Sequence, residues 1–164
     1  GMILDSVLAQ DNRQRRSLWR IRESIPEAEK HLGGSIKHDV SVAITDLPDY
    51  VTRARALISA SWPDARFSVY GHVGDGNVHF NVLPPADSDS EGFKSAHAIN
   101  ISHVLHELAH ELDGSFSAEH GIGKLKKQLL DQYGQPVALQ LMQAIKQSLD
   151  PRGLMNPGKL VDGG

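Results

Sequence analysis

Hydrophobic and polar positions alternate in two distinct rhythms along this chain. From residue 3 to residue 30 the apolar side chains Leu4, Val7, Leu8, Leu18, Trp19, Ile21 and Ile25 recur with helical spacing, and Pro26 and Gly33-Gly34 break the pattern. Between Lys37 and Ile44 the period drops to two. Val40, Val42 and Ile44 fall on one face, and Lys37, Asp39 and Ser41 on the other, which predicts a half-buried strand. Leu47, Tyr50, Val51, Ala54, Leu57 and Ile58 restore helical spacing over 47–60. Phe67 to Leu83 alternates again around Gly74-Asp75-Gly76-Asn77, and Asp-Gly is a strong hairpin signal. A helix over 92–112, a short strand over 115–118 and a basic helix opened by Gly121-Ile122-Gly123 follow. Pro136 starts a last helix carrying Ala138, Leu141, Met142, Ile145 and Leu149, and 150–159 is turn-rich.

The order (α)βαββαβαα predicts an α+β fold: a ferredoxin-like antiparallel sheet with helices packed on one face. The other face is expected to meet solvent or a covering element, and its exposure makes a homo-oligomer an expected state. The 164 residues suit one domain, 1–164. Gly1 before Met2 reads as a residue left by cloning.

Composition narrows the function classes. A net charge of −3 gives no reason to expect nucleic acid or an anionic membrane as partner. No apolar run reaches the roughly 18 residues of a membrane span, and no secretory pattern opens the chain, so a cytoplasmic location is expected. The absence of cysteine removes disulfides, thiolate metal sites and cysteine nucleophiles. Nine histidines, in contrast, are many for this length.

With Asp75-Gly76 as a two-residue turn, His72 would face His79 across the hairpin and Tyr70 would face Asn81. The two histidine Cβ atoms would then lie roughly 5 Å apart. Two imidazoles so placed can chelate one metal ion, with metal–nitrogen bonds of about 2.0–2.1 Å. Val69, Val73, Val78, Phe80 and Val82 are assigned to the opposite, core face. An exposed pair without a ligand, or a register changed by a bulge, is the alternative. Ser117-Ala118-Glu119-His120-Gly121-Ile122-Gly123-Lys124 adds a carboxylate and an imidazole where a strand passes into a helix. Glu119 can supply an oxygen ligand and His120 a general base; a capping glutamate beside a surface histidine is the bland reading.

At these residues the chain resembles a known family. Gly71-His72-Val73-Gly74-Asp75-Gly76-Asn77-Val78-His79-Phe80-Asn81 is similar to the metal-site hairpin of FAD-linked oxidases of the vanillyl-alcohol-oxidase-like superfamily, D-2-hydroxyacid dehydrogenase branch. That branch holds D-2-hydroxyglutarate and D-lactate dehydrogenases and the glycolate oxidase flavin subunit. Residues 117–124 and Asp150-Pro151-Arg152-Gly153-Leu154-Met155-Asn156-Pro157-Gly158-Lys159 match two further signatures in the same order, and Arg22 and Lys37 fit upstream positions. The resemblance implies that His72, His79 and Glu119 hold a divalent metal, zinc by preference, and that Arg22, Lys37 and Asn81 bind a small 2-hydroxyacid. It implies that His120 takes the hydroxyl proton as the C2 hydride passes to FAD, with Asn156 near the flavin ring. A flavin-binding domain is expected on the N-terminal side as the missing partner. Nothing in these residues resembles it, because no Gly-x-Gly-x-x-Gly follows a strand. The chain alone is therefore expected to be inactive. Pro26 departs from the hydroxylated residue of some 2-hydroxyglutarate enzymes.

Two rival functions remain open on the sequence. His106-Glu107-Leu108-Ala109-His110 spells the His-Glu-x-x-His zinc-protease motif. Against the apolar stripe Ile101, Leu105, Leu108 and Leu112, however, His103, His106 and His110 fall roughly 140–200° away, toward solvent. A non-catalytic ferredoxin-like module that binds a metabolite or partner is the other rival. Lys124, Lys126 and Lys127 read as a solvated helix face.

Overall fold

The computed structural model describes residues 5–161. Gly1, Met2 and Leu4 lie outside the described residues.

The core forms between a small sheet and two long helices. Three antiparallel strands, β1 (Asp39–Ser41), β2 (Arg66–His72) and β3 (Asn77–Leu83), lie in the order β1-β3-β2. Ser115 adds a single bridge to Ser41 on the free edge of β1. That position, outside β1 and after the crossover, is where a ferredoxin-like fold places its last strand. The predicted strand over 115–118 is thus reduced to one bridge, extended by the Ala118 N–H donating to the Asp39 carbonyl.

Helices α3 (Leu47–Ser61) and α4 (Ser90–Glu111) cover one face of the sheet. Asp89 caps α4 by accepting the Gly92 N–H. Tyr50, Ala54 and Ile58 from α3, with Ile101, Leu105, Leu108 and Ala109 from α4, pack on Val40, Val42, Val78, Phe80 and Val82. Period-two alternation produced this division, since successive strand side chains point to opposite faces. The α+β expectation holds in this arrangement.

Several boundaries differ from the sequence pattern. The first helical stretch is two helices, α1 (Asn12–Glu23), capped by Asp11, and α2 (Ile25–His31), with Pro26 in the first turn of the second. Proline fits there because its missing N–H has no partner to lose. These helices reach toward the other face of the sheet, where Arg22 lies over Tyr70 and Glu29 bonds Asn81. The first strand ends at Ser41, and Ile44 beyond it is exposed.

The hairpin is also longer than a two-residue turn. Val73–Asp75 form a 3₁₀ turn closed by Gly76 at φ 66°. Tyr70 therefore pairs with His79 and His72 with Asn77, correcting the expected His72–His79 pairing. A four-residue connection shifts the register by an even number, so every side chain keeps its face. Val73 is the exception; it leaves the ladder in the turn and is exposed rather than buried. After Gly121 the chain makes turns, and the helix α5 (Lys127–Tyr133) begins later than expected. The last helix, α6 (Pro136–Leu149), has the expected limits but buries none of its residues.

Candidate metal and substrate site

The polar face of the sheet carries the site. Asp39, Tyr70, His72, His79 and Asn81 project from three strands on the side away from the core. The 118–120 segment runs beside β1 and brings Glu119 and His120 to the same place. His72, His79, Glu119, His120, Arg22, Lys37 and Asn81 all line one open cavity of about 450 Å³, together with Trp19, Glu23 and Pro26.

The end of the cavity that holds the expected metal ligands is compact. His72 Nδ1 lies 2.7 Å from Glu119 Oε1, and His79 Nε2 lies 3.7 Å from Glu119 Oε2. The two imidazole centroids are 6.5 Å apart, a diagonal rather than a direct pair. Only 12 % of the His79 side chain is exposed. Burial holds it below the ordinary imidazole value against the pull of Asp39 and Glu119, which leaves a nitrogen lone pair free to bind a metal. Two imidazoles and a carboxylate whose ionic contacts are with those imidazoles suit a divalent ion with open positions for substrate.

Among the described residues, the trio whose ligand atoms all lie within 4.8 Å of one another is Asp39, His79 and His120, not the expected His72, His79 and Glu119. Asp39 is poorly suited to bind an ion. Its Oδ2 accepts the N–H groups of Glu119 at 2.8 Å and His120 at 2.9 Å, and its Oδ1 accepts the Asn77 amide at 2.9 Å. Burial alone would raise this carboxyl, but those donors hold it below the ordinary aspartate value. Sequence reasoning placed Asp39 only on the polar face of a strand. Its partners lie up to 81 positions away, so local pattern carried no sign of them.

Arg22, Lys37 and His120, expected to meet substrate, line the same cavity. The Arg22 guanidinium sits 4.5 Å over the Tyr70 ring, which restricts where it can point. The His120 side chain is more than half exposed to the cavity, and its Nδ1 is 3.7 Å from Asp39 Oδ2. It stacks on His79, with ring centroids 5.8 Å apart. Asn81 touches the cavity but is 2 % exposed. Its amide donates to Glu29, and its oxygen accepts the His38 N–H, so both ends have partners within the protein. Asn156 does not line this cavity. It occupies the C-terminal turn at φ 50° and accepts from Lys159.

The His-Glu-x-x-His stretch is arranged otherwise than expected. His106 is 6 % exposed, not on the solvent side, because Phe116 and the 122–130 segment cover that flank of α4. It makes an edge contact with the His38 ring, and its Nδ1 is buried without a partner. Glu107 accepts from Tyr133. Among the described residues, no third ligand groups with His106 and His110. Lys126 is half-buried rather than solvated; it donates to the Phe116 carbonyl and the Ser117 hydroxyl, and burial lowers its pKa.

Residues 1–160 match the family described as FAD linked oxidases, C-terminal domain. The chain is 40 % identical over 162 residues to the protein named D-2-hydroxyglutarate dehydrogenase of Xanthomonas citri pv. viticola, covering 99 % of this chain and 34 % of that one. It is 36 % identical over 160 residues to the protein of that name from Stutzerimonas stutzeri, covering 98 % of this chain and 34 % of that one. With the mitochondrial D-2-hydroxyglutarate dehydrogenase of Bos taurus it shares 39 % identity over 162 residues, 98 % of this chain and 28 % of that protein. The chain thus spans about a third of the length of the relatives it matches.

Proposed function

The chain belongs to the FAD linked oxidase C-terminal domain family, and we propose that it is the substrate- and metal-binding domain of an FAD-dependent D-2-hydroxyacid dehydrogenase. One observation carries the reading: His72, His79 and Glu119 meet at the end of a cavity whose other walls carry Arg22, Lys37 and an accessible His120. A non-catalytic partner-binding module requires no such convergence.

The relatives are about three times as long as this chain. In our reading the flavin is bound by such a further portion, with Asn156 contributing from this domain. A bound flavin would supply the hydride acceptor, and a divalent ion, zinc by preference, held by His72, His79 and Glu119 would supply Lewis-acid stabilisation of negative charge on the 2-hydroxyl oxygen. Arg22 offers parallel N–H groups to a substrate carboxylate, while Lys37 adds a compact positive charge. His120 accepts the hydroxyl proton on a ring nitrogen, and Asp39 beside it balances the resulting charge. Asn81, already held by Glu29, gives the cavity wall a fixed shape. D-2-hydroxyglutarate, named for the relatives, is the first substrate to test.

Metal analysis of the purified chain tests the reading. Near-stoichiometric zinc that falls sharply in His72→Ala and His79→Ala is expected. Equal, negligible zinc in all three proteins would overturn it.

A further inference from the structure

We propose that Asp39 is the positioning residue of this site, fixing the Glu119-His120 segment relative to His79. The inference rests on the proposed function for what the site does, but its geometry is independent of that reading. Residues 116–126 form neither helix nor strand, and Gly121 and Gly123 have positive φ. Such a segment has few backbone hydrogen bonds of its own with which to hold a carboxylate and an imidazole in register.

Asp39 supplies the missing partners. Its carbonyl accepts the N–H of Ala118, and its Oδ2 accepts those of Glu119 and His120. Three successive residues are thereby tied to one. The remaining oxygen, Oδ1, accepts the Asn77 amide and lies 3.6 Å from His79 Nδ1. One buried carboxylate, 2 % exposed, thus joins β1, β3 and the loop. Successive backbone N–H groups around a carboxylate also satisfy its charge without a cation. Truncation at this position leaves two N–H groups without acceptors and frees the segment to move.

The test uses the chain as it is, with Asp39→Ala and Asp39→Asn compared with wild type. Two readouts are taken: amide hydrogen exchange at Glu119 and His120, and zinc affinity by chelator competition. In Asp39→Ala we expect exchange at those two amides to rise roughly ten-fold or more while the β2–β3 amides hold. Zinc affinity should fall about 10–100-fold, as for other groups that orient metal ligands. Asp39→Asn, which keeps an acceptor oxygen, should recover part of both. Unchanged exchange and affinity in a folded Asp39→Ala would overturn the inference and leave the metal reading standing. A wild type that binds no zinc would sink the metal reading, and the exchange data would still decide whether Asp39 holds the segment. Global unfolding of both variants would reduce Asp39 to a structural residue and overturn the proposal.

Discussion

The guanidinium of Arg22 lies 4.5 Å over the ring of Tyr70, whose other close ring neighbour is His79 at 5.1 Å. Tyr70 thus stands between the group proposed to hold substrate carboxylate and a proposed metal ligand. A cation over an aromatic face contributes about 0.5–2 kcal/mol. Tyr70→Ala in a fusion with the N-terminal portion of a relative is expected to raise KM for the proposed substrate, D-2-hydroxyglutarate, about 2–30-fold with a smaller effect on kcat. Tyr70→Phe keeps the ring and should stay near wild type. Steady-state kinetics of the two variants checks this.

Catalysis needs a hydride acceptor next to the substrate. The chain mixed with FAD, a redox dye and D-2-hydroxyglutarate is therefore expected to give no sustained dye reduction. Joining it to the N-terminal portion of a relative should restore reduction, and His120→Ala in that fusion should lower kcat about 10²–10⁴-fold, the usual contribution of a general base. A dye-reduction assay on the chain alone would expose the error if turnover appeared.

Acid should destabilise the fold through two buried histidines, His106 and the cavity-lining His38. Burial lowers His38 and His106 from 6.5 to about 4. In the unfolded chain both groups take up protons near the ordinary value, so between pH 6.5 and 4 the unfolded state binds more protons. Stability is then complete above about 6.5 and falls by a few kcal/mol as pH drops through that window. His38 is well bonded, to the Phe80 carbonyl and the Ser102 hydroxyl, whereas His106 Nδ1 has no partner. His106→Leu should therefore match or exceed wild-type stability at pH 7, by about 1 kcal/mol at most, and unfold at lower pH. Urea melts at several pH values read both effects.

Gly76 closes the connection between the two histidine-bearing strands. Its φ is 66°, and a Cβ there would run into the Val42 carbonyl. Gly76→Ala is expected to cost about 2–4 kcal/mol and to lower zinc retention by disturbing the hairpin. Thermal melting and metal content follow the two consequences together.

Leu141, Ile145 and Leu149 on α6 are each more than half exposed, and α1 exposes Trp19 and Ile21. Much of the uncovered apolar surface thus lies on helices and turns rather than on the polar sheet face. Leu141→Lys with Ile145→Lys is expected to reduce any concentration-dependent self-association of the chain, as read by sedimentation, without lowering its melting temperature.

Local sequence determined which side of each strand a residue occupies. Alternation put Val78, Phe80 and Val82 in the core and Tyr70, His79 and Asn81 on the opposite face, and an even shift of the hairpin register could not exchange them. It also placed Pro136 at the head of the last helix. Tertiary structure decided the rest. The meeting of Glu119 with His72 spans 47 positions, and the anchoring of that segment on Asp39 spans 80. The burial of His106 depends on which loop covers α4, and the exposure of the α6 stripe on what stands beside it. Periodicity reports only how a residue faces its own element; these contacts are set by which elements pack together, at separations no local pattern spans.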